Sequence, residues 1–492
     1  MVDIIRLVTV ENTTNRQRQS SQQKLVFLVQ VARLAYDKQV DVFWSGADGL
    51  WHSVAAHYLA STNAEQEYWQ AKLTLRRQSY TDLPGDIRFA LRVRSQNQEY
   101  WNNNQGTDFS SRVNSGLQLT ADKLIQNLSL HPRLKASQQW LNLTVAVAGR
   151  FAAQQVVLHW SNDHWQTIHR SLCRLNKHKS TADTQIWTVK LKSAAAFRIQ
   201  CAFSCQNHTR EVWDNNGGEN YHFSHAPLTM LVLNLHCYQE ENQAAKFKLI
   251  ARAIEEQAVD VVCFQEVAEE WNHGQGDWPS NSANIINQQL KNPYHLCTDW
   301  SHLGFDRYRE GVAILSRYPL HHVHSRYVSE SQDIYSINSR KVITAQIQVP
   351  YLGILQVFSA HLSWWEDGFQ SQFNQLSAWA DSFLQPDLNA ILLCGDFNVR
   401  AGTTGYWQVV NGHQYQDQYL AANARGLFDK IYQVQDAHWQ QYQYPADDYR
   451  IDYIFMNKDS GLAVKNAKVI FTEHDYGRVS DHCGYIMTFE PK

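Results

Sequence analysis

Hydrophobic and polar residues are patterned differently in the two halves of the chain. In the first half the apolar positions alternate in short runs, VDVFW, KLTLR and IRFALRV among them, with turn residues between. Such period-two alternation marks antiparallel strands with one face buried. From Leu228 onward, buried-strand runs alternate with helical stretches. TMLVLNL (229–235) predicts a buried strand, 242–257 an amphipathic helix and VDVVCFQE (259–266) a second buried strand. GVAILSR, VITAQIQV, ILQVFSAHL, NAILLCGDFN and RIDYIFM supply further strands, with a helix at about 368–384. Most of these strands end in polar residues: Asn234, Gln265 and Glu266, His361, and Asp396 to Asn398. Catalytic groups commonly sit where rigid strands hand over to loops.

The first half contains a repeat. LVQVARLAYDKQVDVFWSGADGLW (28–51) has a counterpart in LTVAVAGRFAAQQVVLHWSNDHW (143–165), which aligns Trp44 with Trp160 and Trp51 with Trp165. Each copy then reaches a second matched stretch, EYWNNNQGTDF (99–109) and EVWDNNGGENY (211–221). Landmarks repeated in the same order indicate duplication. The pattern predicts two all-β sandwich modules, 23–110 and 140–224, a flexible tail over 1–22, and a linker over 111–139 in which LTADKLIQNL suits one helix.

The order of V-x-V, an aromatic-lined strand, a Trp-containing loop and a terminal YWNNNQGTDF or WDNNGGENY resembles the family 21 carbohydrate-binding modules. The resemblance implies immunoglobulin-like sandwiches that bind starch or glycogen. Tryptophan offers a flat apolar surface to the C–H face of a sugar ring, and Asn or Asp side chains hydrogen-bond its hydroxyl rim. By motif position the glucan contacts are Trp101, Asn103, Asn104 and Asp108 in the first copy. In the second they are Trp213, Asn215, Asn216, Asn220 and Tyr221. An N-N-G-G string is equally what a tight turn requires, because Gly and Asn tolerate positive φ. Trp44 and Trp160 are expected to pack in the cores.

Composition narrows the function. The 492 residues suffice for two to three domains, and 17 Trp, 23 Tyr and 20 Phe suit packed β-structure as well as sugar or base stacking. Residues 1–227 hold 25 Lys/Arg against 17 Asp/Glu, a balance of +8; residues 228–492 hold 19 against 30, a balance of −11. An acidic second half disfavours bulk nucleic acid, which gains affinity by pairing phosphates with Lys and Arg. No apolar stretch approaches ~20 residues, which excludes a membrane-spanning helix. Asp3 and Arg6 interrupt the N-terminal apolar run, and no Cys-x-x-Cys pair occurs. A cytoplasmic protein with reduced cysteines is expected.

In the second half Asn234, FQE (264–266), EGVAILSRYPL (310–320), SRK (339–341), SAHLSW (359–364), CGDFN (394–398), RIDYIF (450–455) and SDHCG (480–484) occur in order. This set resembles the endonuclease/exonuclease/phosphatase superfamily over 228–490 and implies a four-layer αββα sandwich. It also implies phosphoester hydrolysis with Mg²⁺ or Mn²⁺. Glu266, Asn234 and Asp481 match the metal-site positions, His482 the general base, and Asp452 the carboxylate that fixes its tautomer. Asp396 and Asn398 orient water or phosphate, and His361 bonds the phosphoryl group or leaving oxygen. Arg340 or Lys341 adds positive charge at the phosphate. These residue types suit the chemistry: Mg²⁺ takes hard oxygen ligands, and an imidazole held by a carboxylate can receive a proton from water. The aromatic run HLSWWEDGF (361–369) either shapes the substrate pocket or packs beneath a loop.

The whole reads as a multidomain chain: a metal-dependent phosphoesterase (diesterase or phosphatase) localised to α-glucan. A nuclease and a non-catalytic glycogen-binding adaptor are the alternatives.

Overall fold

The computed structural model describes every residue except 1–3, 17–19, 36, 63–64, 97, 131–132, 135–138, 193–195, 273, 413 and 424–449. It divides into two compact units, Met1–Ala226 and Pro227–Lys492.

The N-terminal unit is all β, as its alternating sequence requires. In the first module a continuous sheet folds back on itself. The strand Trp51–Ser61 makes the turn: residues 51–55 pair with Lys38–Ser45, and residues 56–61 pair with Gln66–Arg77. Leu25, Phe27, Val29, Val42, Trp44, Phe89 and Leu91 fill the space enclosed. The second module sets a sheet containing Trp140–Ala148 and Thr184–Lys192 against one containing Gln155–Ser161 and Arg198–Gln206.

Two expectations are corrected here. Residues 5–16 of the supposed flexible tail form a strand, paired along its length with Ser21–Ala32. In the supposed helical linker, Gly116–Leu119 pairs with the N-terminal strand, and Ile125–Asn127 pairs with Trp140–Ala148. The apolar residues of LIQNL find more burial as strand partners than a short isolated helix would give them.

The modules also share a core: Val8, Leu28 and Tyr68 of the first pack in one cluster with Leu143, Leu158 and Phe203 of the second. At that junction Tyr221 donates to Asp214 Oδ1 at 2.7 Å, and the Asn127 N–H donates to Asp214 Oδ2 at 2.5 Å. Asn216 Nδ2 donates to the Thr62 carbonyl of the first module at 2.7 Å and to the Asn220 carbonyl at 3.0 Å. Burial pushes the Asp214 carboxyl above its usual range, against the pull of those donors.

In the C-terminal unit two sheets face each other. One runs, in strand order, His295–Gly304, Tyr308–Ser316, Val261–Asn272, Leu228–Asn234, Gly484–Pro491 and Leu462–Ile470. The other runs Leu320–Tyr327, Lys341–Val349, Gly353–His361, Leu388–Asp396, Asp452–Asn457 and Tyr415–Asp417. The helices Gln243–Glu256 and Ser282–Gln288 cover the first sheet, whose Leu231, Leu233, Val262 and Phe264 pack with Phe247, Ile250 and Ile286. The helix Phe369–Asp381 covers the second, packing Phe373 and Leu376 with Phe358, Leu393, Tyr453 and Phe455. This is the expected αββα sandwich.

Strand parity then decides the site. Because alternate residues face opposite sides of a sheet, the partners of those helix-facing residues point into the seam between the sheets. There Gln265 Nε2 donates to Ser359 Oγ at 3.0 Å. The eight cysteines are free, Cys297 alone being only half-buried. Among the described residues, no helix is long and apolar enough to cross a membrane.

The junction in the N-terminal unit yields a prediction. Asn216→Ala removes two donor bonds from a buried site and should cost about 1–3 kcal/mol. Calorimetry should therefore show a lower Tm for the N-terminal unit, with glucan retention unchanged once the protein is folded. Lost retention at an unchanged Tm would instead make Asn216 a ligand contact.

Candidate active site

Asn234, His361 and Asp396 are the last residues of three strands, and Asp452 is the first of a fourth, paired directly with Asp396. All four have seam-facing parity, so the strands deliver them to one end of the sandwich. Glu266 arrives differently. The register of its strand shifts between Gln265 and Val267, and Glu266 takes φ +48°. This bulge re-aims its carboxylate. The CGDFN glycine is also required: Gly395 has φ +140°, and a Cβ there would lie 1.9 Å from the Ala360 carbonyl oxygen. A side chain would force apart the strands that carry His361 and Asp396.

At the centre, His482 Nδ1 lies 2.8 Å from Asp452 Oδ2, and its Nε2 faces Asp396 Oδ2 at 3.7 Å and Asp481 Oδ1 at 4.0 Å. Despite complete burial, the carboxylates of Asp452, Asp481 and Asp396 raise the imidazole well above its ordinary pKa. Asp396 is pushed up to about 7 by burial and by Asp452, while His482 and the Asn398 N–H, 2.8 Å from its Oδ1, pull it down. Burial and then Asp481 raise Glu266.

Asn234 Nδ2 donates to Glu266 Oε1 at 2.8 Å and to Asp396 Oδ2 at 3.1 Å. Its carbonyl oxygen accepts the His236 N–H at 3.0 Å. In this orientation Asn234 braces two carboxylates, and its carbonyl oxygen, with one lone pair engaged by His236, stays beside them.

His361 lies as close to Asp396 as His482 does, at 3.7 Å, but its neighbours impose the opposite charge state. Burial and the charge of Arg340 hold it well below its ordinary pKa, so it is neutral. Asn398 Nδ2 sits 3.1 Å from its Nε2, and Arg340 Nη1 sits 3.3 Å from its Nδ1. Arg340 is itself buried, with its Nε donating to Ser363 Oγ at 3.3 Å. It therefore stands behind His361, while Lys341 pairs with Asp299 at 3.2 Å.

Two surrounding groups were not predicted. Glu310, raised to about 8 by burial and by Glu266, lies 3.4 Å from His302, which burial lowers to about 4. Glu310 opens the EGVAILSRYPL run, and a carboxylate directly before a buried apolar strand was the available signal. His236 lies 2.7 Å from Glu240 and 3.6 Å from Asp481, and Glu240 accepts the Asp481 N–H at 3.1 Å and pairs with Lys246. No sequence spacing marks this cluster.

Three groups of side chains have ligand atoms mutually within 4.8 Å: Glu266, His361 and Asp396; Asp396, Asp452 and His482; and His236, Glu240 and Asp481. The hard carboxylate oxygens of Glu266 and Asp396 fit a divalent cation such as Mg²⁺. Their raised pKa values mark anionic charge that neighbouring groups leave uncompensated.

In the N-terminal unit the two repeat-related tryptophans, Trp101 and Trp213, are each 49% exposed. Each is propped by a ring at the equivalent position: Phe43 lies 4.9 Å from Trp101, and His159 lies 4.4 Å from Trp213. Trp44 is buried in the core, and Trp160 stacks on His169.

The polar candidates mostly serve their turns. Asn103 Oδ1 accepts the Gly106 N–H, Asn104 Nδ2 donates to Thr107, and Asn215 Oδ1 accepts the Gly218 N–H. Asp108 and Asn220 take positive φ. Asn216 and Tyr221 are buried at the module junction, which corrects their expected place on the glucan-facing surface.

Comparison with known proteins accords with both halves. The Endonuclease/Exonuclease/phosphatase family profile matches residues 231–482, and the family 21 carbohydrate/starch-binding module profile matches 6–112 and 125–224. The uncharacterized protein YbhP of Escherichia coli K12 is 28% identical over 179 residues, which cover 34% of this chain. The chain spans 66% of the length of that relative.

An endonuclease/exonuclease/phosphatase family protein from Leptotrichia buccalis aligns over 54% of this chain and 99% of its own, at 27% identity and TM-score 0.46. One from Beutenbergia cavernae aligns over 54% and 72%, at 19% identity and TM-score 0.43. By a match to more than half its length, the chain belongs to the endonuclease/exonuclease/phosphatase family, and two family 21 carbohydrate-binding modules precede that domain.

Proposed function

We propose that the protein is a phosphoesterase dependent on Mg²⁺ or Mn²⁺, held on an α-glucan such as glycogen or starch by its tandem modules. The observation that carries the reading is the convergence of Glu266, Asp396, Asn398, His361 and the Asp452–His482 pair at one end of the seam. Glu266 and Asp396 would hold the cation, with Asp481 close by. A divalent ion there neutralises charge on the phosphoryl oxygens.

The side chains divide the remaining work. Asp452 accepts the Nδ1 proton of His482, whose Nε2 is turned toward Asp396. Beside a divalent cation the raised imidazole pKa would fall, so that Nε2 becomes free to take a proton from the attacking water. The same carboxylate stabilises the imidazolium that results. Asn398 and the neutral His361 hydrogen-bond the phosphoryl group or the leaving oxygen. Arg340 fixes His361 from behind and contributes positive charge from a dry position. The acid excess of this half weighs against nucleic acid as substrate. Tethering by Trp101 and Trp213 raises the local concentration of a glucan-associated phosphate ester, and two modules engaging one polymer multiply weak affinities.

Hydrolysis of bis(p-nitrophenyl) phosphate and p-nitrophenyl phosphate should require Mg²⁺ or Mn²⁺, cease with EDTA, and fall roughly 10²–10⁴-fold in His482→Ala. Retention on glycogen should survive that substitution and be lost in the Trp101→Ala/Trp213→Ala double variant. Turnover unaffected by EDTA and by His482→Ala would refute the assigned site.

Glu266→Gln provides a test independent of turnover. Because burial raises the Glu266 pKa, the folded protein favours the neutral form, and stability is lost as pH rises through that pKa. The metal-free Gln variant should therefore melt above wild type, by a margin that widens toward alkaline pH. It should also lose most of the Tm increase that Mg²⁺ gives wild type. An equal Mg²⁺ response in the two proteins would remove Glu266 from the metal site.

A further inference from the structure

The helix Phe369–Asp381 has an unusual outer face. It carries one charged residue, Asp381, in 13 positions, whereas the helix Gln243–Glu256, which covers the other sheet, carries Lys246, Lys248, Arg252, Glu255 and Glu256. Exposed helix faces ordinarily solvate themselves with charge. Here Gln370, Ser371, Asn374 and Gln375 form one side of a groove of about 760 Å³, and Ala378 and Ser382 continue it.

Trp365 and Trp379 also line this groove. The helical rise between residues 369 and 379 is about 15 Å, and Trp365 lies in the turn just before this helix. Both are half-buried and fixed in place. Trp379 packs edge-on against Phe358 at 5.3 Å, and Trp365 abuts Gly405, where a Cβ would come within 2.9 Å of its ring. Arg326 lies over Trp379, 5.9 Å from the ring centroid, and Glu366 is the opposite charge in the lining. The groove lining is therefore electroneutral, with amides and hydroxyls beside the two indoles. That combination suits a neutral polyhydroxylated chain. A polyanion would need the basic side chains that the groove lacks, and a lipid surface would need a continuous apolar patch.

We propose that this groove is a glucan subsite on the catalytic unit itself, in which an α-1,4-linked chain lies along the helix Phe369–Asp381 between Trp365 and Trp379. None of the groove residues belongs to the active site described above. The proposal rests on the reading that the protein works on α-glucan, since the same polymer would fill both the modules and the groove. It gives the HLSWWEDGF segment a role beyond packing: His361 reaches the seam, and Trp365, four residues later, reaches the polymer.

Hydroxyl-radical footprinting of the full chain with maltoheptaose tests this, with an equal mass of sucrose as the control for radical scavenging. Oxidation of Trp365 and Trp379 should fall at least threefold, together with that of Trp101 and Trp213. In Gln370→Ala/Asn374→Ala, two exposed substitutions, protection of Trp365 and Trp379 should be lost and that of Trp101 and Trp213 kept. Protection confined to Trp101 and Trp213 overturns the groove and leaves the modules as the glucan site. Protection of none of the four overturns the groove and the α-glucan reading together. Protection at Trp365 and Trp379 that survives the double substitution overturns direct contact along the helix.

Discussion

The C-terminal unit is organised around the burial of like charge. Glu266, Asp396 and Asp452 converge at one end of the seam between the sheets, and Asp481 stands close enough to repel Glu266. Carboxylates removed from water are costly unless donors and cations compensate. The donors are specific: Asn234 spans Glu266 and Asp396, the Asn398 N–H serves Asp396, and His482 serves Asp452. Compensation is incomplete. Asp396 stays near 7, and one oxygen of Asp452 has no hydrogen-bond partner among the described residues. A second ring lies outside the first, where the buried Arg340 balances Glu310 and Glu266 at the expense of His361, which it drives neutral. The two site histidines thus acquire opposite states from their neighbours alone.

Much of this was legible because strand parity is legible. A buried strand that ends in a polar residue has told the reader both where the strand stops and which face that residue takes. Asn234, His361 and Asp396 could be placed on that basis, whereas Asp452, which opens its strand, was named from the family resemblance. Glu266 could be named but not aimed, since its direction depends on a bulge that appears only when Gln265 and Val267 are set against their partner strand. Arg340 was named without its neighbours: its guanidinium meets His361 and Ser363. Glu310, His302 and the His236–Glu240 pair went unread because their significance lies in cross-strand and loop-to-loop proximity. Identity and spacing along one strand do not encode that.

The duplicated modules show the same limit from the opposite side. The repeat was plain, and its tryptophans emerge where the alignment puts them, exposed and backed by Phe43 or His159. The neighbouring asparagines were read as sugar contacts, yet a turn that uses positive φ also uses its own side chains to close. In the second copy Asp214, Asn216 and Tyr221 go further and join the first module at Thr62 and the shared core. The first copy has Asn102 where the second has Asp214, and Asn102 bonds the Ile5 carbonyl of its own module. Duplication supplied two similar turns, and a few substitutions turned one of them into the junction.

The excess of buried acid also connects the site to its chemistry. A phosphate ester is an anion, and the seam end that must receive it is lined by carboxylates. Without a cation, part of that charge is carried as bound protons, held on Glu266 and Asp396 by raised pKa values. On the proposed reading, protons and a divalent ion would compete for the same oxygens, and metal affinity would strengthen as pH rises and the protons leave. Only a seam emptied of those protons presents the hard, fully anionic oxygens that a small divalent cation prefers. In the proposed metal site, the instability of the metal-free state would thus be the source of affinity. Better internal compensation, by a lysine at Asn234 for example, would give a more stable fold with less need of the ion.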